Sequence, residues 1–222
     1  IFGLAAAAVS HALVRMLSVL SITAALMLLR LAGELVLSAL NRAEVRRHAA
    51  APPAAAAAIM DLATYRKSVA YTLEKSRFGA VAGIFDTLVT ALVLFGGVLP
   101  LLFAHVADWG APNAVWSHVM FVLLVMMLLS VPSLPFEWWE QFRLEEKFGF
   151  NKSSVGLWVM DKVKGTVLTL VIGFPLLWAL LSLVKWTGES WWLWGFALMF
   201  GFQLLMLVLY PKLILPLFNK LT

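Results

Sequence analysis

Long apolar stretches, each near the length of a bilayer crossing, alternate along this chain with shorter segments that carry most of its charge. A hydrocarbon core about 30 Å thick takes about 20 residues of α-helix, and five stretches reach that length. They run from about 16 to 40, interrupted by Arg30 and Glu34, and then over 80–106, 115–135, 165–184 and 191–210. A helix satisfies its own backbone polar groups in lipid, so the pattern predicts an all-α, polytopic membrane protein. Residues 1–15 are apolar but short, and read either as an outward extension of the first helix or as the remnant of a leader. Residues 16–212 form the expected five-helix domain, with loops at 41–79 and 136–164. Within the first loop, Ala49–Ala58 with Pro52 and Pro53 reads as a mobile linker, after which a helix resumes from Asp61 to Arg77.

Composition supports this reading. The chain of 222 residues is 62% hydrophobic and 13% charged, against about 25% charge in soluble domains, which excludes soluble and disordered classes. The formal charge of +5 and pI near 9.7 suit basic loops beside an anionic leaflet better than nucleic acid, which is not an expected partner. Zero cysteines exclude a disulfide framework, thiolate metal ligands and a cysteine nucleophile.

Charge also orients the spans. Lys and Arg gather in the 41–79 segment (Arg42, Arg46, Arg47, Arg66, Lys67, Lys75, Arg77) and in 136–164 (Arg143, Lys147, Lys152, Lys162, Lys164), while the 107–114 loop has none. Basic loops stay cytoplasmic, which places the N-terminus outside and the C-terminus inside. Trp109, Trp116, Trp186, Trp191, Trp192 and Trp194 flank the two remaining loops, as an interfacial belt should. The low Lys content and abundant Ala, Leu and Trp suggest a bacterial inner membrane.

Four polar side chains lie at membrane depth: Arg30, Glu34, Asp86 and Gln203. Such groups normally face protein or water, so they are candidate linings of a polar chamber. Arg30 and Glu34, four residues apart, can instead neutralise each other, and Asp86 can snorkel to the interface. Pro100, Pro132, Pro135 and Pro175 can kink spans, but by themselves they decide nothing.

No self-contained active site is legible. None of His11, His48, His105 and His118 begins a His-Glu-x-x-His pair, and no Gly-x-Ser-x-Gly or phosphate-binding glycine loop occurs. His105 and His118 flank a short outer loop beside Asp108 without a ligand spacing. The 136–164 segment is richer. Glu140, Arg143 and Lys147 share a helical face, and Trp139, Phe142 and Glu146 follow a neighbouring stripe, predicting a helix along the membrane surface. Gly149 is placed to cap it, and Asn151 or Ser153 to start the next helix. Its paired charges exceed what a connector needs and suggest a docking surface.

These residues carry a resemblance. Leu144-Glu-Glu-Lys-Phe-Gly-Phe-Asn-Lys152 and Asp161-Lys-Val-Lys-Gly165 resemble the signature of the CAAX prenyl protease 1 family of integral-membrane zinc metallopeptidases. Tyr71-Thr-Leu-Glu-Lys-Ser-Arg-Phe-Gly79 and the closing Tyr210-Pro-Lys-Leu-Ile-Leu-Pro-Leu-Phe-Asn-Lys-Leu-Thr222 match the family in order and position. The resemblance implies a helical barrel around a chamber, with zinc held by a later His-Glu-x-x-His helix and a further Glu, and proteolysis of prenylated or membrane-associated peptides. On that reading, 213–222 begins the connection to a C-terminal protease domain. Zinc belongs to the full-length protein; no ligand or catalytic residue is carried over to this chain, which should be inactive alone. The expected partners are the bilayer, that protease domain and a peptide or protein substrate. Glu145, Glu146, Lys147, Asn151, Lys152 and Asp161 are the candidate docking residues. Alternatives are a non-catalytic membrane scaffold of the same ancestry and a small transporter built on Arg30, Glu34 and Asp86.

Overall fold

The structure, a computed structural model, describes residues 2–53, 59–107, 109 and 114–218, with side chains from Leu17 onward apart from that of Ala107. Part of the expected Ala-rich linker (54–58), Asp108 and residues 219–222 lie outside the described residues. The chain is helical, with no strand among the described residues. Its long elements are α1 (Phe2–Arg47), α2 (Leu62–Phe95), α3 (Val98–Ala107) and α4 (Val115–Ser130). After a 3-10 turn at Val131–Ser133 come α5 (Leu134–Trp139), a π-helical turn (Glu140–Glu145) and α6 (Glu146–Phe148). The chain then forms α7 (Val155–Thr187), a 3-10 turn (Gly188–Ser190), α8 (Trp191–Leu209), a second π turn (Tyr210–Ile214) and α9 (Leu215–Phe218).

Among the described residues, four helical runs are long and apolar enough to cross a membrane: Leu17–Arg47, Leu62–Phe95, Val115–Phe148 and Val155–Phe218. The last spans 64 residues, about 96 Å at 1.5 Å per residue, far more than one bilayer. Gly188, at φ 55° and ψ −127°, turns the chain between α7 and α8, so this run holds two crossings and the described residues make five. The exposed side chains are those lipid would cover: Leu29 is 69%, Leu37 68% and Leu207 74% exposed. A water-soluble surface rarely shows contiguous patches of this kind.

Local chemistry sets the helix ends. Asp61 caps α2, its carboxylate accepting from the Thr64 amide at 2.7 Å. Hydrogen bonds from the Thr64 side chain and then its amide hold the Asp61 carboxyl below its ordinary value. Ser154, rather than Asn151 or Ser153, caps α7, accepting from the Leu157 amide at 3.2 Å. Gly149 closes α6 in the left-handed region at φ 74°. The Phe150 amide donates to the Glu145 carbonyl (2.9 Å) and the Gly149 amide to that of Glu146 (3.0 Å), the crossed pair of a Schellman motif. The expected 80–106 span is broken at Gly96–Gly97 between α2 and α3, with Gly97 at φ 75°. The helix expected along 136–148 is continuous with the third helical run, which reaches Phe148.

Two compact units divide the chain: Ile1–Leu99 with Leu128–Lys152, and Pro100–Met127 with Ser153–Thr222. In the first, α1 and α2 pack antiparallel. The Ser38 and Ser76 hydroxyls bond each other at 2.8 Å, and Arg42 donates to both, at 2.6 Å and 3.3 Å. Phe136 of α5 lies 4.7 Å from Phe85 and 6.0 Å from Phe78, ring centre to ring centre. In the second unit, Phe103 of α3 meets Phe121 of α4 edge-on at 5.4 Å. A Cβ on Gly195 of α8 would sit 3.2 Å from Leu180 of α7, so the missing side chain lets these helices approach. Lys164 of α7 donates to the Leu217 carbonyl of α9 at 2.9 Å.

Candidate functional site

At 34 residues, α2 is about 51 Å long, against a hydrocarbon core of about 30 Å. Its apolar part begins near Ala80, so Leu62–Gly79 stands beyond the lipid core, and the polar site of the first unit is built there. Lys75 has three ammonium donors and three acceptors: the Tyr71 hydroxyl at 3.0 Å, Glu145 at 3.0 Å and Glu140 at 3.1 Å. Tyr71 in turn donates to Glu145 at 3.1 Å. The hydrogen bond with Tyr71, followed by those with Glu145 and Glu140, holds Lys75 well above the usual lysine range despite partial burial. Lys75 in turn, aided by Tyr71, holds Glu145 below the usual carboxylate range against the effect of its own burial.

The π turn makes this convergence possible. At about 100° per residue, Glu140 and Glu145 would sit about 140° apart on a regular helix. One i→i+5 turn brings both onto the face that meets α2. Beside them Lys147 bonds Glu74 at 2.7 Å. Tyr71 stands edge-on to Phe148 (5.3 Å) and Phe150 (4.8 Å), and Lys67 lies over Phe150 at 5.7 Å. Leu144 and Phe148 are buried beneath. Paired charges on an apolar underlay thus pin 134–150 to the end of α2.

Four of the candidate docking residues therefore have partners within their own unit. Glu145 holds Tyr71 and Lys75, Lys147 holds Glu74, and Asn151 bridges Glu146 at 2.9 Å and Gln141 at 2.7 Å. Lys152 is exposed. Asp161 belongs to the second unit, where it lies 3.8 Å from Lys164 and has a buried carboxylate oxygen without a hydrogen bond. The sequence displays Tyr71, Glu74 and Lys75 in a charged, aromatic stretch, but a helical wheel gives no sign of their pairing with Glu140 and Glu145.

Of the residues at membrane depth, Arg30, Glu34 and Asp86 come together. With Met27, Gly83, Thr87 and Thr90 they line a cavity of about 140 Å³ between α1 and α2. Arg30 and Glu34 pair at 2.8 Å, and Asp86 accepts from Ser133 at 2.8 Å. Gln203 is exposed on α8 of the second unit. His118 lies 6.0 Å from Phe103, ring to ring, and no group of three or more His, Asp or Glu side chains suited to a metal occurs among the described residues.

This is an integral-membrane helical protein whose polar contacts outside the lipid core join one crossing to the continuation of another. A family profile described as "CAAX prenyl protease N-terminal, five membrane helices" matches residues 41–220, and the chain belongs to that family. It is 34% identical over 166 residues to a CAAX prenyl protease 1 homologue of Oryza sativa subsp. japonica, covering 71% of this chain and 39% of the relative. Against the Homo sapiens homologue it is 32% identical over 171 residues, covering 74% of this chain and 36% of that one. The crystal structure of S. mikatae Ste24p has the same fold, with a TM-score of 0.74 at 24% identity, covering 88% of this chain and 48% of that chain. The chain spans about two fifths of the length of these curated relatives.

Proposed function

We propose that these residues form the membrane-embedded N-terminal region of a zinc metalloendopeptidase, walling a chamber in which membrane-associated or prenylated-type peptides are cleaved. The observation that carries this reading is the family match over 41–220, supported by five crossings that follow the helical fold of Ste24p. Neither zinc ligand nor general base is assigned to this chain; both belong to the remainder of the longer protein. The part proposed for this chain is mechanical. Arg30, Glu34 and Asp86 offer the chamber a polar lining, and the segment pinned by Lys75 presents Glu146, Asn151 and the exposed Lys152 to a protease domain. Asp161, in the second unit, is proposed as a docking residue in its own right.

The reading places the N-terminus outside and the C-terminus in the cytoplasm, on the distribution of Lys and Arg. Composition alone favours a bacterial inner membrane, and the relatives described above are eukaryotic. The test is cleavage of a farnesylated C-terminal peptide by the protein expressed from its complete gene, with and without a zinc chelator. Chelator-sensitive cleavage, weakened by Lys152→Glu as the protease domain undocks, is the expected outcome. A complete gene product that binds no zinc and cleaves no peptide overturns the proposal.

A further inference from the structure

The two flanks of the α1–α2 pair differ in charge. Ser38 and Ser76 meet at 2.8 Å and mark the line along which the helices touch. At about 100° per residue, Glu34 and Arg30 lie about 40° and 80° to one side of Ser38, and Asp86 about 80° to the same side of Ser76. In an antiparallel pair equal senses of rotation fall on one flank, and these three residues line one cavity. Arg42 and Arg46 lie about 40° and 80° to the other side of Ser38, and Arg77 about 100° to the other side of Ser76. The carboxylates of the two helices are all engaged elsewhere. Glu34 holds Arg30, Glu44 holds Arg47 and His48, Glu74 holds Lys147, Asp86 accepts from Ser133 and Asp61 caps α2. The acidic 134–150 segment meets Tyr71, Lys75 and Phe78, about 100–160° round α2 from Ser76 in the sense of Asp86. The second flank is therefore basic and unneutralised. Arg46 and Arg77 are exposed, and neither forms an ion pair among the described residues. Arg42 donates from Nη1 alone, to Ser38 and to the hydroxyl and carbonyl of Ser76, so Nε and Nη2 keep three of its five donors for another acceptor.

We propose that this arginine flank of α1–α2 binds an anionic phospholipid, whose phosphate accepts from Arg42 and Arg77. Depth and charge together argue for this occupant. Ser76 and Arg77 lie about 4–6 Å beyond Ala80 at 1.5 Å per residue, within a headgroup layer of about 5–7 Å on each side of the hydrocarbon. The bonds to Ser38 and Ser76 hold the Arg42 guanidinium at that level, and Arg46 follows one turn, about 6 Å, further out. Nearer the bilayer centre the same flank carries Leu28 on α1 and Ile84 and Leu88 on α2, all exposed. Cations at headgroup depth above an apolar strip match a molecule that is anionic at one end and hydrocarbon at the other. A water-soluble anion would gain nothing from Leu28 or Leu88, and a zwitterionic lipid carries no net charge to neutralise the arginines. The opposite flank, where Glu34 and Asp86 stand, offers no such match. The inference needs only the membrane depth of α1 and α2 and does not rest on the proteolytic reading.

The test is native mass spectrometry of the protein expressed from its complete gene, titrated in detergent with dioleoylphosphatidylglycerol or dioleoylphosphatidylcholine. Arg77→Gln is expected to weaken retention of phosphatidylglycerol about fivefold, the order of effect of one basic residue beside an anionic surface, and to leave phosphatidylcholine unchanged. Arg42→Gln should do the same, and Arg77→Lys should keep the preference. Arg66 shares the flank but lies about 21 Å beyond Ala80, more than twice the Debye length of about 8 Å, so Arg66→Gln should change nothing. Arg42→Gln also removes the bonds to Ser38 and Ser76; if that protein does not purify folded, Arg77→Gln carries the test by itself. Phosphatidylglycerol retention unaltered by Arg77→Gln overturns the proposal. So does its displacement by millimolar inorganic phosphate, which would mean an anion site without lipid, or by a polyglutamate peptide, which would mean a surface for an acidic protein.

Discussion

Lys75 is the residue on which the polar site turns, because it stands between two carboxylates that would otherwise face each other. Lys75→Met leaves Glu140 and Glu145 together without a cation. Because Lys75 and Glu140 are both more than a third exposed, water screens the repulsion, and the expected loss is about 1 kcal/mol, read as a lower midpoint of thermal unfolding in detergent. Acidity should act in the same direction. The folded state holds Glu145 below its ordinary value, so its contribution is complete above the usual glutamate range and fades as pH falls through the lowered value. Lys75 is raised, so its contribution is complete below the usual lysine value and fades only in strong alkali. Attachment of 134–150 to α2 should therefore be flat from neutral pH up to the usual lysine range, loosen in acid, and weaken again only in strong alkali, seen as faster amide exchange in α5 and α6. A profile unchanged by Lys75→Met would remove these groups from the account. The sequence shows that Glu74, Lys75, Glu145 and Lys147 belong to charged, aromatic stretches. It does not show which of them meet, because a π turn alters the angular step that a helical wheel assumes.

At the scale of elements, ends were more legible than continuity. Asp61 and Gly149 carry their caps in their residue types, and the structure places both at helix ends. The continuous run through Phe148 and the break at Gly96–Gly97 depend on tertiary packing and on backbone angles that hydropathy does not encode. Two glycines separate these causes. Gly149 sits at φ 74°, and a Cβ there would meet no atom closer than 3.8 Å, so any cost of Gly149→Ala comes from the backbone, about 1–2 kcal/mol for a left-handed L-residue. Gly83 is helical and a Cβ would meet nothing within 4 Å, so Gly83→Ala should leave stability unchanged or raise it slightly. The two midpoints of thermal unfolding, measured side by side, check the contrast. Equal effects would mean that the Schellman closure at Gly149 does not hold α6 in place.

Over the whole molecule, hydropathy revealed most. A mean hydropathy of +0.91 and five apolar stretches match the five crossings, because lipid demands a continuous apolar length that no other environment requires. The cavity shared by Arg30, Glu34 and Asp86 was legible residue by residue but not as one place, since the joining of α1 to α2 is tertiary. The central claim is a five-crossing membrane wall that presents both basic segments on one side, where a protease domain can reach them. The absence of cysteine permits a direct measurement: single Lys67→Cys, Trp109→Cys, Lys152→Cys and Glu189→Cys chains, labelled in sealed vesicles with a membrane-impermeant maleimide. Labelling of positions 67 and 152 from the cytoplasmic face, and of 109 and 189 from the opposite face, is the result expected. Positions 67 and 152 labelled from opposite faces, or 109 from the same face as 152, would contradict it.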